Sequence, residues 1–174
     1  AKQLLAEAGV ENPTVRFVTA QTNPRRQSQL QLITASAQQA GFKVVDTSQT
    51  DWSTFITTQA SQYDAALFGW QSSSLAIGES GANFIDGGTN NYYGWKNDRI
   101  DAIFKEIDTT TDPAKQQELL IEAETLVMQN AWSVPIFQHP GVVAWSDQVE
   151  GVKAGFLAPN YFWNRTEWKP ANAG

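Results

Sequence analysis

Two hydrophobic periods divide this chain. Some stretches repeat their apolar residues every three or four positions and others alternate them, so helices and strands can be assigned in order. "AKQLLAEAG" reads as an amphipathic helix already under way, with Gly9 placed to end it. "PTVRFVTA" (13–20) puts Val15, Phe17 and Thr19 on one face, a strand pattern. In "NPRRQSQLQLITASAQQAG", Asn23 is an N-cap, Pro24 takes the first helical position, and Leu30, Ile33 and Ala37 form one stripe. "FKVVD" (42–46) is a short strand and "DWSTFITTQAS" (51–61) a short helix. "YDAALFGW" (63–70) is the next strand, carrying Trp70 to its last position. Strand, helix, strand, helix, strand with short connections is the pattern of right-handed crossovers in a parallel sheet, so the fold class is α/β.

The pattern breaks after Trp70. "QSSSLAIGESGANFIDGGTNNYYGW" (71–95) is rich in Gly, Ser and Asn and has little periodicity. Its spaced aromatics argue against disorder, so it reads as an ordered loop with a short helix around residues 82–86. Two amphipathic helices follow. Asn97 caps one that turns Ile100, Ile103, Phe104 and Ile107 inward. Asp112 caps the other, with Pro113 in the first position and Leu119, Ala123, Leu126 and Val127 inward. "SVPIFQHP" (133–140) is extended, and the tail shows short extended pieces with many aromatics.

Composition narrows the functional classes. A net charge of −6 and no basic cluster larger than Arg25–Arg26 argue against nucleic acid as a partner. No apolar run reaches the roughly 18 residues that cross a membrane as a helix. Without cysteine there are no disulfides, thiolate metal sites or thiol nucleophiles. Nothing ahead of the opening helix initiates it. The chain therefore reads as a piece of a longer protein, with any export signal outside it.

Candidate chemistry is sparse. His139 is the one histidine and reads as a surface or hinge imidazole. With no cysteine and no second histidine, a zinc site has little to draw on, and no metal or other cofactor is expected. No Gly-x-Ser-x-Gly elbow accompanies the histidine, and the glycines of 78–88 match no phosphate-cradling pattern. A glycosidase-like hydrolase would need two facing carboxylates, for which the loop offers only Glu79 and Asp86. Asn164-Arg165-Thr166 matches a glycosylation acceptor, a tripeptide common by chance. The loop itself stands out. Ligands of parallel α/β sheets bind outside the carboxyl ends of the strands. There Gln71, Ser72, Ser73, Asn83, Asn90 and Asn91 interleave with Trp70, Phe84 and Tyr92, suiting an apolar pocket with a few orienting polar groups. These nine residues are the candidate ligand-binding set. Single members, Trp70 and Phe84 above all, read equally well as plugs under a long loop.

The ordered set "AKQLLAEAG", "DWSTF", "YDAALFGWQ", "NNYYGWKNDRIDAIF", "DPAKQQELLIEAETLVMQNAWSVPIFQ" and "VEGV" resembles the C-terminal lobe of family 5 solute-binding proteins, the oligopeptide/dipeptide type that serves ABC importers. The "SSSL" run and "FWNRTEW" ending are most similar to actinobacterial members. The resemblance implies one lobe of a type II periplasmic-binding-protein-like fold, with a parallel or mixed sheet flanked by helices. Residues 1–138 would be the ligand-facing lobe. Residues 139–174 would be a return crossover and a tail packed partly on an absent N-terminal lobe, leaving Trp145, Phe156, Tyr161, Phe162 and Trp163 bare. It implies no enzyme: a small solute is captured by lobe closure and delivered to the permease subunits, outside the cytoplasm, from a lipid-anchored or secreted protein. Peptide-binding relatives commonly carry an Asp three residues after the Trp, paired with the peptide ammonium. Ser73 stands there instead, a weaker neutral partner that leaves sugars and other solutes open beside peptides. An adhesion domain using the aromatic tail is a further alternative.

Overall fold

The computed structural model describes residues 1–72, 76–155, 157 and 162–171. They fall into two compact units, Ala1–Gly69 and Trp70–Gly174.

The first unit begins with helix α1 (Lys2–Glu7), and the chain turns at Gly9, whose φ of +64° suits a residue without a Cβ. Strand β1 (Thr14–Val18) leads to α2 (Pro24–Gln39), β2 (Lys43–Asp46), α3 (Trp52–Thr58) and β3 (Ala65–Ala66). The sheet order is β2-β1-β3 and both pairings are parallel, the crossover pattern legible in the sequence. The most buried residues of this unit are Val18, at the end of the central strand, and Thr19, just past it. Thr19 is a polar group in an apolar place, and its hydroxyl is satisfied by donating to the Leu67 carbonyl at 3.1 Å. The expected strand over 63–70 is corrected. Ladder pairing covers Ala65 and Ala66, a further bond runs from Leu67 N to Val18 O, and the chain then leaves the sheet. Phe68 stacks on Trp52 rather than continuing the strand, and Trp70 lies beyond.

One surface clamp ties β1 to the start of β3. Arg16 donates through Nε and Nη2 to the two oxygens of Asp64 (3.0 and 2.6 Å), through Nη1 to Ser61 O, and through its backbone N–H to Asp64 again. The side-chain hydrogen bond from Arg16, helped by the backbone one, lowers the Asp64 pKa from 3.8 to about 2.

The second unit is built on α4 (Asp98–Ile107) and α5 (Pro113–Gln129). Ile100, Ile103, Phe104 and Ile107 meet Leu119, Ala123 and Val127 in one buried cluster. Asn97 and Asp112 cap these helices through their side chains as the sequence indicates. The short helix expected at 82–86 lies earlier, as a 3-10 turn over Ile77–Asn83. Gly81 explains the shift. A Cβ there would meet Phe104 Cδ1 at 2.9 Å, so glycine lets the turn lie directly on α4. Further on, strands β4 (Val149–Glu150) and β5 (Lys169–Pro170) pair antiparallel. Asn164 is buried between them in sequence, donating to Gly151 O at 2.6 Å and accepting from Trp168 Nε1, so its amide is unsuited to glycosylation.

Helix α5 ends in a Schellman turn, with Trp132 N bonded to Val127 O and Ala131 N to Met128 O. The left-handed residue is Ala131, at φ 51°, where glycine is the usual occupant. Replacing Ala131 by Gly removes the Cβ strain and is expected to stabilise the protein by about 0.5–1 kcal/mol in urea denaturation. The Asp64 clamp yields a second expectation. A carboxyl whose pKa falls on folding contributes stability above its unfolded value and loses it as pH drops toward the folded one. The two side chains are 40% and 41% exposed, so solvent reduces the effect. Asp64→Asn should melt below the wild type at pH 7, and the gap should close as pH falls from about 4 toward 2.

Candidate functional site

Among its described residues, the segment between Trp70 and Trp95 contains no strand and one 3-10 helix, yet much of it is anchored. Backbone turn bonds satisfy some of its polar groups, and the Asn91 side chain supplies three more bonds. That side chain is buried, donates through Nδ2 to Ile85 O (3.0 Å) and Trp95 O (2.7 Å), and accepts from Trp95 N (3.1 Å). Its amide thus closes the loop on itself. A second, apolar anchor comes from the end of α5. Trp132 meets Phe84 edge-on at 5.0 Å, Tyr93 edge-on at 5.8 Å and Trp95 at 5.7 Å. The Schellman turn at Ala131 aims this indole, and its burial against three rings offsets the strain of the turn. Sequence reasoning passed over Trp132; the signal available was a tryptophan immediately after a helix with no C-terminal glycine.

A chain of polar contacts leads outward from this frame. Asn83, buried, accepts from Asn90 Nδ2 at 2.9 Å, and Asn90 Oδ1 accepts from the Tyr92 hydroxyl at 3.4 Å. The Tyr92 ring lies 6.4 Å from Trp70, tilted 35°. Trp70 is 47% exposed. An indole backed by a tyrosine whose hydroxyl donates to one amide, itself bonded to a second, is a braced aromatic platform.

The nine candidates therefore divide. Trp70, Tyr92, Asn90 and Asn83 form one connected set. Gln71 and Ser72 are exposed beside Trp70 in the chain. Asn91 is committed to the loop backbone, and Phe84 stacks on Phe104 at 6.4 Å in the core layer. Ser73 lies outside the described residues. Elsewhere, Asp86 is paired with Lys96 at 2.8 Å, which engages one of the two carboxylates a hydrolase would need. His139 is exposed, with Phe137 edge-on at 4.7 Å. Among the described residues no group of three His, Asp or Glu side chains is placed to hold a metal ion, and no helix is long and apolar enough to cross a membrane.

The fold has known counterparts. The periplasmic EDTA-binding protein EppA superposes on 98% of this chain with a TM-score of 0.81 at 20% identity, over 34% of its own length. The substrate-binding domain of an oligopeptide ABC transporter from Bacillus anthracis matches 98% of this chain and 33% of its own at TM-score 0.71 and 17% identity. NikA from Staphylococcus aureus, in complex with Ni(L-His)2, matches 75% of this chain and 29% of its own at TM-score 0.65 and 18% identity. Identities this low establish the fold, that of the type II periplasmic binding proteins, and the chain spans about a third of the length of these structures. The profile of the bacterial extracellular solute-binding proteins, family 5 (middle region), matches residues 1–93, and this chain belongs to that family. No curated protein sequence matches it. The likeness to actinobacterial members finds no support in these comparisons.

Removing the Asn91 amide should unfasten the loop. Asn91→Ala leaves the Ile85 and Trp95 carbonyls and the Trp95 N–H without their partner, at an expected cost of about 1–3 kcal/mol. Faster hydrogen exchange over residues 85–95 in the variant is the measurement that checks it.

Proposed function

We propose that this chain is the ligand-facing C-terminal portion of the solute-binding component of an ABC importer, and that Trp70 is the wall on which the solute lies. The observation that carries the reading is the half-exposed indole, backed by Tyr92 and braced through Asn90 to Asn83. A large apolar face left open yet held firmly is suited to stacking, while neighbouring hydroxyl and amide groups orient the ligand. No bond is broken in this function. The solute favours the closed form only through contacts that the open form lacks, so closure follows from differential binding.

An oligopeptide or dipeptide is the first reading of the solute, supported by the oligopeptide transporter among the structural neighbours. A non-peptide solute is the second, supported by the EDTA-binding neighbour and its TM-score. In either case residues 1–138 act as the ligand-facing lobe. The remaining partners are the permease subunits and an N-terminal lobe of the same protein, held outside the cytoplasm by secretion or a lipid anchor. The apolar residues along the extended segment support that second lobe: Val134 and Val142 are 79% and 83% exposed, and Trp145 is 53% exposed. A soluble protein rarely leaves such a run uncovered.

The test uses the full-length protein. Mass spectrometry of whatever co-purifies identifies the solute, and calorimetry measures its affinity. Trp70→Ala should weaken binding about tenfold, the loss expected of one aromatic stacking contact, while leaving the melting temperature unchanged. Unaltered affinity in a folded variant overturns the assignment of Trp70.

A further inference from the structure

Arg25 and Arg26 adjoin in the first turn of α2, a turn without an acidic residue. Their surroundings differ. Arg25 is exposed, and its Nη1 donates to Gln29 Oε1 at 3.4 Å. Arg26 is half-buried, and its guanidinium carbon stands 5.5 Å from the ring centre of Trp52 and 5.6 Å from that of Phe68. Those rings are themselves stacked at 5.7 Å, so the cation caps a stacked pair in a triangle of nearly equal sides.

Such a seat holds the charge without using its hydrogen bonds. Cation–π attraction acts through the ring faces, whereas the five N–H donors of a guanidinium lie in its plane and need oxygen acceptors. Among the described residues no carboxylate pairs with Arg26 and no oxygen accepts from its side chain. Arg16 shows the contrast, its fork spent on Asp64 and Ser61. Burial, and then the Arg25 charge, lower the pKa of Arg26, so the cation is held where its charge is penalised. One edge of the fork is kept clear by the backbone. A Cβ at Gly69 would stand 3.9 Å from Arg26 Nη2, and glycine leaves that flank bare.

We propose that Arg26, seated on Trp52 and Phe68 and flanked by Gly69, is a carboxylate-binding site within the unit Ala1–Gly69, taking one carboxylate of a small solute by a bidentate contact. The planar fork matches the two oxygens of a carboxylate, a fit that lysine lacks. The aromatic seat fixes the fork before the ligand arrives, which reduces the ordering cost of binding. Arg25 adds a second positive charge at the same turn of a chain whose net charge is −6, so this corner attracts anions that the rest of the surface repels. The site lies in one unit and is argued independently of the Trp70 platform.

The experiment is NMR of the full-length protein labelled at the arginine guanidinium carbon, titrated with sodium acetate at constant ionic strength set by chloride. Arg26→Lys, which keeps the charge and the long stem, assigns the signal by its disappearance. Gly69→Ala, which touches only the flank, assigns it independently should the first variant fail to fold. The Arg26 signal is expected to move and saturate, while that of exposed Arg165 moves little and without saturation. In Gly69→Ala the acetate concentration at half-saturation should rise several-fold. An Arg26 signal that stays still, or drifts linearly as Arg165 does, overturns the proposal, whatever becomes of Trp70.

Discussion

A segment of some two dozen residues whose described part has no strand and one short 3-10 helix can form a firm surface only if its backbone groups find partners outside the usual ladders. Here backbone turns meet part of that requirement and one side-chain amide adds three further bonds. Asn91 supplies both donors and an acceptor to the loop that contains it, standing in for the missing secondary structure. The rest of the candidate site depends on that closure. Asn90 and Tyr92 flank Asn91 in the chain, so the polar brace behind Trp70 holds its position because the residue between them is pinned. Trp132 adds the apolar half of the restraint from a separate helix, so the loop is fastened by one hydrogen-bonding centre and one aromatic centre.

Much of the frame was legible in advance because it rests on local rules. The caps at Asn23, Asn97 and Asp112, the prolines that follow two of them, and the inward faces of α4 and α5 each follow from short-range chemistry. The parallel order of the sheet also followed, since alternating elements with short links admit few other arrangements. The end of β3 was misjudged for a nonlocal reason. Alternation and β-rich composition continue through Phe68, but that ring stacks on Trp52 and leaves the ladder, and sequence periodicity does not reveal such a partner. The turn at Ile77–Asn83 was displaced for a similar reason, its place set by how closely Gly81 approaches Phe104.

The candidate residues stand out in the sequence as a type more readily than as individuals. A run of aromatics among uncharged hydrogen-bonding groups marks a candidate contact surface, but composition does not say which amide faces outward. Asn91 and Asn90 are adjacent and chemically identical. One is buried and spent on the backbone, while the other is half-buried and contacts Asn83 and Tyr92. Family membership agrees with the general reading, and the division of labour among the asparagines comes from three-dimensional structure alone. Arg26 was visible only as half of a basic pair too small for nucleic acid; its aromatic seat depends on Trp52 and Phe68, which are far from it in sequence.

The gathering of rings about Trp132 has an optical consequence. With the indoles of Trp95 and Trp132 centred 5.7 Å apart and inclined at 55°, their electronic transitions couple, and the far-ultraviolet circular dichroism of this chain carries an aromatic couplet on top of its helical bands. Helix content read from that spectrum will be in error until the couplet is subtracted. Its disappearance on warming reports the parting of those two indoles, separately from the melting of the helices.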